Sequence, residues 1–118
     1  MDKDHIPTDD VIMVTTDSLG TGARELGEIL MKSFLNKLCD AGRKPARILL
    51  INDGVRLATG GSKVLEPLGF LEKEGVAILS CGTCLDYYKL RDNLKVGQVT
   101  SMDKIVNFLL DADKVIKI

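Results

Sequence analysis

The sequence predicts an α/β sandwich built around a mainly parallel, five-stranded sheet. Three observations carry that expectation. Short apolar runs rich in β-branched residues alternate with helical patterns along the whole chain. Those runs are apolar at nearly every position rather than at every second one, as in strands covered on both faces. The strict strand, helix, strand order calls for right-handed crossovers between parallel neighbours.

Residues 1–10 are polar and acidic, contain Pro7 and read as a flexible lead-in. A first strand follows at Val11-Ile12-Met13-Val14. Leu26, Ile29, Leu30, Phe34 and Leu38 then recur at helical spacing from Gly22 to Ala41, with Gly42 placed to stop the helix. That spacing assigns these five to the core face. Met31, Leu35 and Cys39 form a second row on the opposite side, read as semi-exposed surface or as a subunit contact. The second strand is Arg47-Ile48-Leu49-Leu50-Ile51. A second helix spans Ser62 to Glu74, restarted at Pro67, because proline is tolerated in a first turn but not in a helix interior. Val76-Ala77-Ile78-Leu79 is the third strand, and Cys84 to Asn93 the third helix. Val96-Gly97-Gln98-Val99 is a weaker strand. The last helix runs from Ser101 to Asp111, with Met102, Ile105, Val106 and Leu109 on one face, and Thr100-Ser101-Met102-Asp103 offers capping groups to its first amides. Val115-Ile116-Lys117-Ile118 closes the sheet. No repeat or linker divides residues 11–118, which read as a single domain.

Composition narrows the function. Sixteen basic residues against seventeen acidic ones give a net charge of -1. No electrostatic surplus is left for phosphate backbones or anionic lipid, so neither nucleic acid nor membrane is expected as a partner. No apolar run approaches about 18 residues, and Met1-Asp2-Lys3-Asp4 lacks the apolar core of a signal peptide; a cytoplasmic location is expected. Three cysteines without an export signal read as reduced thiols. With His5 the sole histidine, one subunit has too few ligands for a metal centre, and no metal or cofactor is expected.

In a parallel sheet, ligands bind outside the carboxyl ends of the strands. Four loops there hold most of the reactive groups: 16–22, Asn52-Asp53-Gly54, Cys81-Gly82-Thr83-Cys84 and Thr100-Ser101. Cys81 ends a strand and Cys84 falls in the first turn of the next helix, where unpaired amides favour an anion, so a lowered thiol pKa is expected. The bland alternative makes Cys81 a small core residue. As a pair the cysteines fit half a zinc site, a dithiol oxidoreductase, or a sulfur carrier in which one thiolate accepts a sulfane sulfur and the other resolves it or stands by. In the last case the amides of Gly82 and Thr83 would stabilise the anionic sulfur. The loop 16–22 reads first as a turn and helix cap, since the dinucleotide fingerprint and the phosphate-loop lysine are both missing; Asp17 and Ser18 are expected to face the site. Asn52 and Asp53 read as turn chemistry and, secondarily, as polar groups around a bound anion. Two other functions stay open: a non-catalytic module binding a nucleotide or other anion, and a structural zinc shared between subunits.

The segment Cys81-Gly82-Thr83-Cys84-Leu85-Asp86-Tyr87-Tyr88 resembles the DsrE-like domain found at the C-terminal end of YedF proteins, which are described as sulfurtransferase-like selenium metabolism proteins. The likeness extends to Thr16-Asp17-Ser18-Leu19-Gly20, to Leu50-Ile51-Asn52-Asp53-Gly54-Val55 and to residues 94–102, which are typical of the wider DsrE/DsrF-like family. The resemblance implies a flavodoxin-like three-layer fold, homo- or hetero-oligomers with a homo-oligomer expected here, and relay of sulfur or selenium as a cysteine persulfide between protein partners. By spacing, Cys81 matches the sulfur-carrying cysteine of relay members, and Cys84 belongs to the YedF-type motif. Such proteins usually carry a TusA-like sulfur-carrier domain with a Cys-Pro motif. This sequence holds no such segment, so either a separate TusA-like carrier is the expected partner or the chain is an excised domain.

Overall fold

A computed structural model describes residues 9–118. Five strands, β1 (Asp10–Val14), β2 (Arg47–Leu50), β3 (Ala77–Cys81), β4 (Gln98–Thr100) and β5 (Lys114–Lys117), form one sheet in the order β4-β3-β2-β1-β5. Every pairing is parallel. The helices are α1 (Arg24–Asp40), α2 (Leu65–Lys73), α3 (Gly82–Tyr87) and α4 (Met102–Asp111), with 3-10 turns at Asn52–Ala58 and Arg91–Asn93. The architecture is the expected three-layer α/β sandwich, with its own strand order.

That order decides the layers. From β1 to β4 the chain steps one strand at a time in the same direction, so right-handed crossovers put α1, α2 and α3 on one face. It then returns across the sheet to lay β5 beside β1, and the reversed step puts α4 on the other. The first face is closed by a core that includes Ile12, Val14, Met31, Leu35, Ile48, Leu50, Leu68 and Leu85. The second holds a smaller cluster of Val11, Leu49, Cys81 and Ile105.

The lead-in is shorter than the sequence suggests. Asp10 is the first residue of β1 and is buried, with its carboxylate on Arg43 at 2.5 Å, and Asp9 before it pairs with Arg47; residues 1–8, Pro7 and His5 included, lie outside the described residues.

α1 turns the other way from the expectation. Met31 and Leu35 are fully buried and Cys39 is half-buried, whereas Leu26, Ile29 and Leu30 are exposed; Phe34 and Leu38 pack only at the margin of the core. Two apolar rows on one helix leave the spacing argument undecided. What selects the row is Gly27, where a Cβ would sit 2.0 Å from Ser18 Oγ and 3.0 Å from the Leu19 carbonyl. Only a glycine lets the 16–22 loop lie this close to the helix, and Met31 and Leu35 share its side.

Three boundaries also move. Pro67 lies in the first turn of α2, which starts at Leu65 rather than Ser62. α3 is only six residues long, against an expected span reaching Asn93, because Lys89 takes a left-handed φ of 58° and breaks it. The segment after β2, expected as a turn, is a 3-10 helix that buries Val55, Leu57 and Ala58.

Candidate functional site

Because all strands are parallel, the four loops named from the sequence share one edge of the sheet. The two cysteines meet at the end of β3. Cys81 is its last residue and the N-cap of α3; its side chain enters the α4 face and is 1% exposed. Cys84 is half-buried and touches both cores, so it sits on the seam between the faces. N-cap and third-residue side chains approach each other across a first turn, so both thiols belong to the start of α3.

Asn52 builds the other wall. Its φ of 56° is left-handed, a conformation that asparagine tolerates better than most residues. In this pose the Asn52 N–H donates to Cys84 Sγ at 3.1 Å, while its Oδ1 accepts from the Tyr88 hydroxyl at 2.5 Å. Tyr88 in turn supports the Arg56 guanidinium, 4.4 Å above its ring, and meets Tyr87 edge-on at 5.2 Å. Tyr87 itself is 80% exposed. Gly82 allows the tight approach of α3 to β4: a Cβ there would lie 2.8 Å from Arg91 Nη2 and 3.1 Å from Val99 Cγ1. Arg91 closes this corner with two hydrogen bonds to Asp86 at 2.7 and 3.0 Å, which hold the Asp86 carboxyl below the usual range.

The thiol titration runs against the sequence expectation. Burial pushes the Cys84 thiol up, the neighbouring Cys81 thiol pushes the same way, and the Asn52 amide pulls down against both. At rest Cys84 is a protonated thiol with one amide already aimed at its sulfur.

The remaining residues divide. Thr83 is exposed at the mouth of the turn. Ser18 does not face the cysteines: it is buried, its hydroxyl donates to the Arg24 carbonyl at 2.9 Å, and its N–H donates to Thr16 Oγ1 at 3.1 Å. Asp17 accepts from Arg24 at 2.8 Å and leaves its second carboxylate oxygen buried and unpartnered. Asp53 is half-buried, and its charge acts on Arg24. Asp17 lines a cleft of about 580 Å³ between the first half of α1 and residues 59–64, together with Lys32, Arg56, Lys63 and Val64. Arg56 thus belongs both to this cleft and to the Tyr88 wall. Thr100, noted from the sequence only as a strand-end and capping residue, is buried, with its hydroxyl unpartnered, and is the register partner of Cys81 on β4. Arg56 carries no sequence signal beyond its residue type, and Thr100 is marked there only by its place at a strand end.

Among the described residues, no three His, Cys, Asp or Glu side chains gather as metal ligands, and no helix is long and apolar enough to cross a membrane.

The fold recurs among solved structures. The YchN protein of E. coli aligns over 95% of this chain and 100% of its own, at a TM-score of 0.67 and 18% identity. A protein of unknown function from Methanobacterium thermoautotrophicum aligns over 92% of this chain and 97% of its own, at 0.67 and 21%. A conserved protein of unknown function from Bacteroides thetaiotaomicron aligns over 93% and 95%, at 0.64 and 19%. At these identities the likeness establishes the fold. No curated protein matches the chain in sequence. The sequence profile of one family does match, over residues 11–118, and with this parallel sandwich beneath it the chain belongs to the DsrE/DsrF-like family.

Proposed function

We propose that the chain is a sulfur-relay protein that carries a sulfane sulfur, or its selenium counterpart, as a persulfide at the Cys81-Gly82-Thr83-Cys84 turn. The family is one whose members are commonly sulfur-relay proteins. The observation that carries the reading is the Asn52 amide held 3.1 Å from Cys84 Sγ by a left-handed backbone. An amide fixed on a half-buried sulfur stabilises that sulfur when it becomes anionic, without reorganisation at the moment of transfer. A thiol protonated at rest also resists stray alkylation and oxidation until a donor docks and delivers its sulfur. The partner in this reading is a TusA-like carrier. Homo-oligomer formation is part of it as well, and the exposed Leu26, Ile29 and Leu30 row on α1 is an apolar surface suited to a second copy. The YedF-type selenium role rests on the Gly-Thr-Cys-Leu-Asp-Tyr-Tyr segment.

Incubation with a persulfide donor followed by intact-mass analysis tests the proposal. The wild type gains sulfur, and Cys84→Ser does not. Equal labelling of wild type, Cys81→Ser and Cys84→Ser would overturn it.

The cleft supports a second reading, a site for an anionic small molecule. Arg56, Lys32 and Lys63 line it across from Asp17, Glu25 and Glu28, and none of the three cations makes a salt bridge among the described residues. A nucleotide at about 100 times its dissociation constant would add about 2.7 kcal/mol of stability, readable as a thermal shift. No shift across a nucleotide panel would remove this reading.

A further inference from the structure

Resting on the reading that this turn takes up sulfane sulfur, we infer that the two cysteines act in a fixed order, Cys84 accepting the sulfur and, when no acceptor protein is docked to take it on, Cys81 discharging it as sulfide through an internal disulfide. Family spacing pairs Cys81 with the carrying position, yet Cys81 is 1% exposed and lies beneath α4 with Val11, Leu49 and Ile105. No external donor reaches that sulfur without opening the sheet. Cys84 is the half-buried member, on the seam, with the Asn52 amide on its sulfur. A donor therefore meets Cys84, and the thiol that Cys84 meets next is Cys81.

The step balances without an outside reagent. Cys81 sulfur attacks the inner sulfur of the Cys84 persulfide, a Cys81–Cys84 bond forms, and the bond between Cys84 sulfur and its terminal sulfur breaks. The Cys81 sulfur is oxidised, the terminal sulfur is reduced by the same two electrons, and the Cys84 sulfur keeps the oxidation level it had in the persulfide. The terminal sulfur leaves with the electron pair as hydrosulfide, and the proton lost by Cys81 makes it hydrogen sulfide. Cys81 is the extended N-cap of α3 and Cys84 its third residue, and a disulfide needs Cβ atoms about 3.5–4.5 Å apart, so the bond forms by closure of this first turn. Gly82, the first residue of α3, sits inside that turn.

Thr100 completes the arrangement. As the register partner of Cys81 on a parallel neighbour, it sends its side chain out of the same face of the sheet. Its hydroxyl is buried and has no partner. A buried hydroxyl without an acceptor is costly, and the thiolate that Cys81 becomes during attack is an acceptor on that face. A dithiol reductant then resets the pair by ordinary exchange.

The experiment loads the full chain with a persulfide donor, removes the excess and follows intact mass and free sulfide with time. The wild type should gain one sulfur, lose it as sulfide and end two hydrogens lighter than the reduced protein, and a dithiol should reverse that change. Cys81→Ser should take up sulfur and keep it, and Cys81→Ala guards against a folding defect caused by a buried serine. Thr100→Val should keep uptake and slow discharge about tenfold, the rate equivalent of one hydrogen bond. Equally fast sulfide release from Cys81→Ser and wild type, or uptake that survives in Cys84→Ser but not in Cys81→Ser, would overturn the order while leaving the relay reading in place. No uptake by the wild type would overturn both.

Discussion

The two faces of the sheet are built differently. Leu49 and Leu50, neighbours on β2 and both fully buried, show how: Leu50 points into the core closed by α1, α2 and α3, and Leu49 into the small cluster under α4. The winding direction of four strands loads one face, and a single return crossover covers the other. The crowded face supplies most of the stability. The thin face holds Cys81, and the reactive thiol lies where the two meet.

The comparison predicts its own test. Leu50→Ala should cost about 3–5 kcal/mol, near the top of the range for leucine truncation, because three helices and a 3-10 turn hold the cavity open. Leu49→Ala should cost less, about 2–3 kcal/mol, because one ten-residue helix can settle into the space. Urea unfolding of both variants measures the difference. The reverse ranking would break the account of the two faces.

A smaller effect is expected at the seam. Asn52→Ala removes the acceptor for the Tyr88 hydroxyl and puts a less tolerant residue at a φ of 56°. A loss of about 1–3 kcal/mol follows. Asn52→Gly loses the same hydrogen bond without the backbone strain and should be milder. If both variants are equally stable, Asn52 is not under strain.

The third prediction concerns pH. Burial raises the folded-state pKa of Cys84, so the fold binds this proton more tightly than the unfolded chain does. The stabilisation is fully present below the ordinary thiol pKa and is lost as pH rises through the raised value. Melting temperature should therefore fall at alkaline pH, and less steeply in Cys84→Ser. Burial raises Cys39 in the same direction and leaves that variant a residual slope. An unchanged slope in Cys84→Ser would show that burial does not govern this thiol.

The smallest effect on stability belongs to the outer row of α1. Leu30→Glu should stay within about 0.5 kcal/mol of the wild type, since the side chain is 42% exposed. It should nevertheless weaken self-association in sedimentation. A large stability loss would mean that Leu30 belongs to the core.

Much of this was legible in the sequence. Continuous apolarity marked the strands, and alternation with helical patterns gave the parallel sandwich and the shared edge of the four loops. The Cys81 and Cys84 turn followed from that placement. The buried row of α1 did not, because two apolar rows satisfy one period and only the close approach of Ser18 and Leu19 to Gly27 chooses between them. The raised Cys84 thiol is not legible for a related reason: its burial is a tertiary fact. Ser18 was drawn toward the site by its loop, while its hydroxyl serves the Arg24 carbonyl. Arg56 became visible only through stacking, and Thr100, placed at the edge by its strand, gains its relation to Cys81 only through register.

The most direct test of the central claim is the rate of thiol alkylation against pH, followed by intact mass in the wild type, Cys81→Ser and Cys84→Ser. Cys84 should react before Cys81, with a titration above that of a free thiol, and Cys81 should react only as the protein unfolds. Alkylation of Cys81 first, or a Cys84 titration below the free value, would contradict the account.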